Sequence, residues 1–160
     1  MSKKNSYFLL PIALLFFLSC SDSAPKKTKK INAEATQKAK LIGNMLDELA
    51  TSLIAAADGK AEVLRTAEGV NITFQPDFYF ESSTAQLNPN AKSVLGRIAG
   101  VLNQYPYTEL FIEGHADSSG NQNFNVRLSQ LRAKNVAVFM RDNGVKASRM
   151  AIAGYGATRP

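Results

Sequence analysis

Apolar residues recur along this chain with several spacings, and each spacing predicts an element. Residues 7–18 are almost wholly apolar and follow the charged pair Lys3 and Lys4. Further on, Ala35, Ala39, Ile42, Leu46, Leu49, Leu53 and Ala56 alternate steps of four and three, the a/d stripe of an amphipathic helix. Asn32 is a candidate N-cap and Gly59 a candidate stop, which gives a helix over 32–59. Gly43 weakens it by about 1 kcal/mol relative to alanine, too little to erase the pattern. Alanine at three of the seven seam positions makes a strong helix pair unfavourable. The stripe is therefore expected to dock on the following domain or to make transient contacts.

From residue 69 the period changes. Val70, Ile72 and Phe74 alternate and predict a strand over 69–74, which Pro76-Asp77 interrupts. Phe78, Tyr79 and Phe80 precede a polar loop over 81–85. Asn88-Pro89 is a helix start, and Val94, Leu95, Ile98, Val101 and Leu102 line one face up to Tyr105-Pro106. Leu110 and Ile112 predict a strand over 108–113. A helix over about 122–142 follows, with Leu128, Leu131, Val136, Phe139 and Met140 expected to face inward and Gly144 to end it. Residues 150–153 form a last strand before Gly154-Tyr155-Gly156. The order strand, helix, strand, helix, strand predicts an α/β (α+β) sandwich, with helices stacked on one sheet and an amphipathic helix in front.

The net charge of +6 changes little once located. Lys3 and Lys4 lie at the start of the apolar leader, and Lys26, Lys27, Lys29 and Lys30 form one short run. Without these six the chain holds 13 basic and 13 acidic residues, so no basic groove for nucleic acid follows. At 45% hydrophobic and 20% charged, a chain of 160 residues has room for one domain and an appendage. One cysteine, Cys20, excludes an internal disulfide. Together with the single His115 it leaves no metal cluster to assemble. No cofactor-binding or hydrolase motif is present. A hydrolase would need a group to activate water, and no candidate for one stands out in the sequence.

The leader ends Phe17-Leu18-Ser19-Cys20, which resembles a bacterial lipoprotein signal. By that resemblance residues 1–19 are removed and Cys20 is lipidated, the alternative being an ordinary secretory signal. Acyl chains contribute about 0.8 kcal/mol per buried methylene, so several on one residue would hold the protein in the outer-membrane lipid. Ser21-Asp22 differs from the inner-membrane retention signal, in which Asp follows the cysteine directly. Residues 20–31 have Pro-Lys composition and read as a flexible tether, a solvated spacer whose lysines can touch anionic headgroups.

The candidate chemistry lies over 108–133, TELFIEGHADSSGNQNFNVRLSQLRA. A strand that ends near the loop carboxylate Asp117 precedes a helix that carries Asn125, Leu128, Ser129 and Arg132. A carboxylate and a guanidinium at one concave edge suit a zwitterion, one taking an ammonium and the other gripping a carboxylate through two hydrogen bonds. The plainer alternative is a structural ion pair worth about 0–1 kcal/mol. His115 beside Asp117 suggests acid–base chemistry, but a turn histidine packed on the sheet suits the sequence better. Phe78, Tyr79 and Phe80 are read as core packing rather than as a platform for sugar rings.

Phe80…Leu87, GHAD, Gly120…Asn125-Val126-Arg127-Leu128-Ser129-Gln130-Leu131-Arg132-Ala133, Gly144-Val145…Arg149 and Gly154-Tyr155-Gly156…Pro160 together resemble the OmpA-like peptidoglycan-binding domain, over 69–160. The whole layout is similar to that of peptidoglycan-associated lipoproteins. The resemblance implies that Asp117 binds the amino group of diaminopimelate in peptidoglycan and that Arg132 binds the carboxylate on the same carbon. Asn125 assists, and Leu128 and Ser129 flank the site. It implies no cofactor and no metal. Ala116 stands where the family usually has Thr. The chain stops at Thr158-Arg159-Pro160, before the family's last strand, so the domain is expected to be C-terminally incomplete. Beyond peptidoglycan and lipid, envelope proteins are possible partners, with the 35–56 helix as an alternative interaction surface.

Overall fold

A computed structural model describes residues 24–74, 79–81, 84–116 and 121–158. The leader, Cys20, Pro76-Asp77, Phe78 and Asp117 lie outside the described residues. Two compact units meet within the first helix, between Lys38 and Ala39.

Helix α1 runs Ala24–Ala57, so the stretch read as a tether is helical from Ala24 onward. Lysine and alanine are good helix formers, and Pro25 sits in the first turn, where its missing N–H costs nothing. The helix ends in two residues of positive φ, Asp58 (51°) and Gly59 (69°). In the second unit the seam splits into two parts. Leu49, Leu53 and Ala56 are buried, and Leu46 packs beside them. Ile42 is 46% exposed. Docking thus holds for the C-terminal half of the stripe.

Strand β1, Ala61–Arg65, pairs antiparallel with β2, Val70–Phe74, with Val63 opposite Ile72. Strand β1 is masked in the sequence because Leu64 sits on its solvent face and blurs the alternation. Thr66 closes the hairpin, its N–H donating to Gly69 O at 2.9 Å. Helix α2, Pro89–Gln104, begins where Asn88 accepts the Ala91 N–H at 2.8 Å. It buries Ala91, Val94, Leu95, Ile98, Ala99 and Leu102. Then β3, Leu110–Gly114, helix α3, Gln122–Asp142, and β4, Met150–Gly154, form a parallel crossover with Ile112 opposite Ile152.

The α/β class holds, but the described strands make two separate pairs rather than one sheet. What unites the pairs is packing. Val63, Val70, Ile72 and Phe74 of the hairpin, and Leu110 and Met150 of the crossover, converge on one cluster with Leu53, Leu95, Ile98 and Met140. Tyr79 is 2% exposed there, with its ring edge-on to Phe74 at 4.5 Å and its hydroxyl donating to Lys60 O. Burial pushes that hydroxyl up to about 12, against the opposing pull of Arg97. Arg149 ties the strand starts to the end of α2. Its guanidinium donates to Thr108 O at 2.7 Å, Tyr105 O at 2.9 Å and Leu102 O at 3.3 Å.

Helix α3 buries Met140 and packs Val136 and Phe139 on the core as expected, but its closest contact with the strands is made by other residues. Leu131 is 51% exposed, and the buried residues are Asn125, Ser129, Ala133, Ala137 and Met140. The reason is distance. The helix lies so close to the ends of β3 and β4 that only small side chains fit between them. A methyl group on Gly114 would collide with the Ser129 carbonyl, and one on Gly154 would stand 2.6 Å from Gln130 Cα. Gly156, at φ 55°, would place its methyl 3.0 Å from Val126 N. Since backbone rather than a flexible side chain stands in the way, Gly114→Ala and Gly154→Ala should each lower stability by about 3 kcal/mol. Gly100→Ala has open space and should be tolerated. Urea denaturation of the three variants tests this, and equal midpoints would contradict the close-approach account.

Candidate functional site

Because β3 and β4 are parallel, the loops that leave their C-terminal ends emerge at one edge, where open α/β folds gather ligands. The two loops are laced together by backbone bonds. Tyr155 N–H donates to Gly114 O and Ala116 N–H donates to Gly156 O, each at 2.9 Å. Ser129 joins helix to loop. Its Oγ accepts from Gly156 N–H at 2.9 Å and donates to Val126 O at 2.9 Å. Asn121 caps α3 beside this edge, accepting from the N–H groups of Asn123 and Phe124.

Arg132 sits on the exposed flank of this seam. Its Nε donates to Thr84 O at 2.9 Å, and its Cζ lies 4.9 Å from the centre of the Phe80 ring. The carbonyl and the ring fix the plane of the guanidinium, as recognition of a carboxylate through paired hydrogen bonds requires. The 81–86 loop presents that carbonyl because it is pinched by the Phe80–Leu87 bridge and by Thr84 N–H donating to Glu81 O. Asn135, further along α3, donates to the neighbouring Ala85 O at 2.7 Å.

Among the residues read from the sequence, Asn125 and Arg132 lie on one side of α3, two turns apart. Asn125 is 5% exposed and Leu128 half-buried. Ser129 is wholly buried, with its hydroxyl used on both sides, so it positions the loop and offers nothing to a ligand. Asp117, next after Ala116 in sequence, lies like Cys20 outside the described residues. His115 stacks on Tyr155, with ring centres 5.7 Å apart, and its Nε2 is 3.9 Å from Glu113. Phe80 and Thr84 form the seat of Arg132, which the sequence alone does not indicate. The one sequence signal for it is the aromatic run before the loop, whose pattern points equally to core packing.

A model of the OmpA family matches residues 79–160. The chain is 37% identical to the probable lipoprotein YiaD of Escherichia coli (strain K12) over 98 residues, 61% of this chain and 45% of that one. It is 30% identical to the peptidoglycan-associated lipoprotein of Mesorhizobium japonicum over 95 residues, 59% of this chain and 56% of that one. The chain thus spans about half the length of these curated relatives. The structure of the cell wall anchor of the T6SS from Pseudomonas aeruginosa superimposes with a TM-score of 0.62 at 24% identity. That match covers 69% of this chain and 81% of that one, and it is a likeness of fold.

Ser129→Ala leaves the buried Gly156 N–H without its acceptor, a loss of about 1–3 kcal/mol. Hydrogen exchange at Gly156 should accelerate in this variant more than exchange at Leu95. Uniform protection would show that the Ser129 bond does not hold the two loops together.

Proposed function

Since the chain belongs to the OmpA family, we propose that it is an outer-membrane lipoprotein that binds peptidoglycan noncovalently and so fastens the outer membrane to the cell wall. In this reading Cys20 carries the lipid and the folded domain lies in the periplasm. The observation that supports it is the seat of Arg132, a guanidinium held by Phe80 and Thr84 O on the helix whose Ser129 packs against the ends of β3 and β4. Arg132 donates a pair of hydrogen bonds to the carboxylate of a diaminopimelate centre, and Asp117 accepts from its ammonium. Asn125 and Leu128 shape the helix side of the site. The chemistry is binding without turnover.

A charge-assisted bond contributes about 1.5–3 kcal/mol net, offset in part by desolvation and immobilisation. Affinity for one stem peptide is therefore modest. Tethering to a membrane that faces a polymeric wall raises the effective concentration and makes modest affinity sufficient. Asp117→Ala and Arg132→Ala should each weaken binding to purified peptidoglycan by at least about ten-fold in a sedimentation assay. Free diaminopimelate should displace the native chain. Sedimentation of both variants at the native level would overturn the site.

A second reading, an interaction protein of an envelope complex, has its own observation. Leu41 and Ile42 of α1 are exposed, at 62% and 46%. The helix cannot simply be deleted to test this, because Leu49 and Leu53 belong to the core. Leu41→Lys is the cleaner probe and should leave wall sedimentation unchanged. If it abolishes sedimentation, α1 rather than the Arg132 edge is the wall-binding surface.

A further inference from the structure

Past Arg132 the surface does not close. The 84–87 stretch, the first turn of α2 and the C-terminal half of α3 enclose an open groove of about 520 Å³. Thr84, whose carbonyl holds Arg132, is also one of its walls, so the groove begins where the Arg132 seat ends. Asn135 fixes the next carbonyl, that of Ala85, along the same side. Val138 and Phe139 give it an apolar floor, and Lys92 and Asp142 supply its charges.

Those charges are not balanced. The Asp142 carboxylate already accepts from Arg141, at 3.0 Å from Nε and 2.8 Å from Nη2. Lys92 stands exposed in the first turn of α2, and no carboxylate among the described residues pairs with it. The groove therefore offers one uncompensated ammonium above an apolar floor. The occupant it fits is a peptide that carries a carboxylate. Val138 is six residues beyond Arg132 on α3, about 9 Å along the helix. An extended peptide covers that distance in about three residues.

We propose that this groove is a second subsite for the same wall peptide, in which Lys92 takes a carboxylate that flanks the diamino acid held at Arg132. The inference rests on the diaminopimelate reading and deepens it. The domain then reads a stretch of peptide rather than one amino-acid centre, and it distinguishes wall peptides whose flanking carboxylates are free from those in which they are amidated.

Titration calorimetry on the full chain tests this with three probes: meso-diaminopimelate alone, a stem tetrapeptide containing it as the free acid, and the same peptide with its flanking carboxylates amidated. The native chain should bind the acid about five-fold more tightly than the amide, the size of one exposed charge pair. Lys92→Gln should remove that preference while leaving the amide and free diaminopimelate as before, and Lys92→Glu should reverse it. If the native chain binds acid and amide alike, or if Lys92→Gln weakens all three probes equally, the groove is not a subsite. If the native chain binds none of the three, the diaminopimelate reading itself fails, an outcome distinct from loss of the acid preference alone.

Discussion

The architecture depends on how closely α3 lies against the ends of β3 and β4. Glycine at 114, 154 and 156 removes the methyl groups that would hold the helix away, and Ser129 fills the contact with a hydroxyl that bonds on both sides. Residues whose bulk would suit an ordinary core, such as Leu131, are displaced to the flank. The contact sets the height of the helix above the strand ends. It thereby decides where a side chain such as Arg132, on the flank of the same helix, meets the 81–86 loop. Site and fold are in this sense one packing problem.

Much of this was legible in the residues. Both domain helices start and stop where their caps and apolar faces place them, at Asn88-Pro89 and Tyr105-Pro106 for α2 and near Gln122 and Asp142 for α3. The three strands read from alternation were found within a residue or two. What was not legible came from tertiary context. Strand β1 carries an outward leucine, so its period is masked. The part of α3 that meets the strand ends is small and partly polar, Asn125, Ser129, Ala133 and Ala137, and large apolar residues at helical spacing mark only Val136, Phe139 and Met140 beside it. The two strand pairs share a core without sharing a ladder, which no local pattern records.

The site divides along the same line. Arg132 and Asn125 stand out from spacing and family resemblance, since both need only one helix to bring them together. The partners that orient Arg132 come from 48 residues earlier in sequence, Thr84, and from the aromatic before it, Phe80. Long-range seating of this kind leaves no periodic mark. Ser129 is an instructive case, for it lies among the candidate site positions in sequence and yet its hydroxyl is spent on the frame between helix and loop.

Arg149 bonds to carbonyls 41–47 positions upstream. Such contacts require the crossover through α3 to be complete before they can form, because the loop that separates the partners must first be closed. Where such contacts form late, they slow unfolding more than they speed folding. Contacts of this kind act on the rate of coming undone as well as on the depth of the equilibrium well.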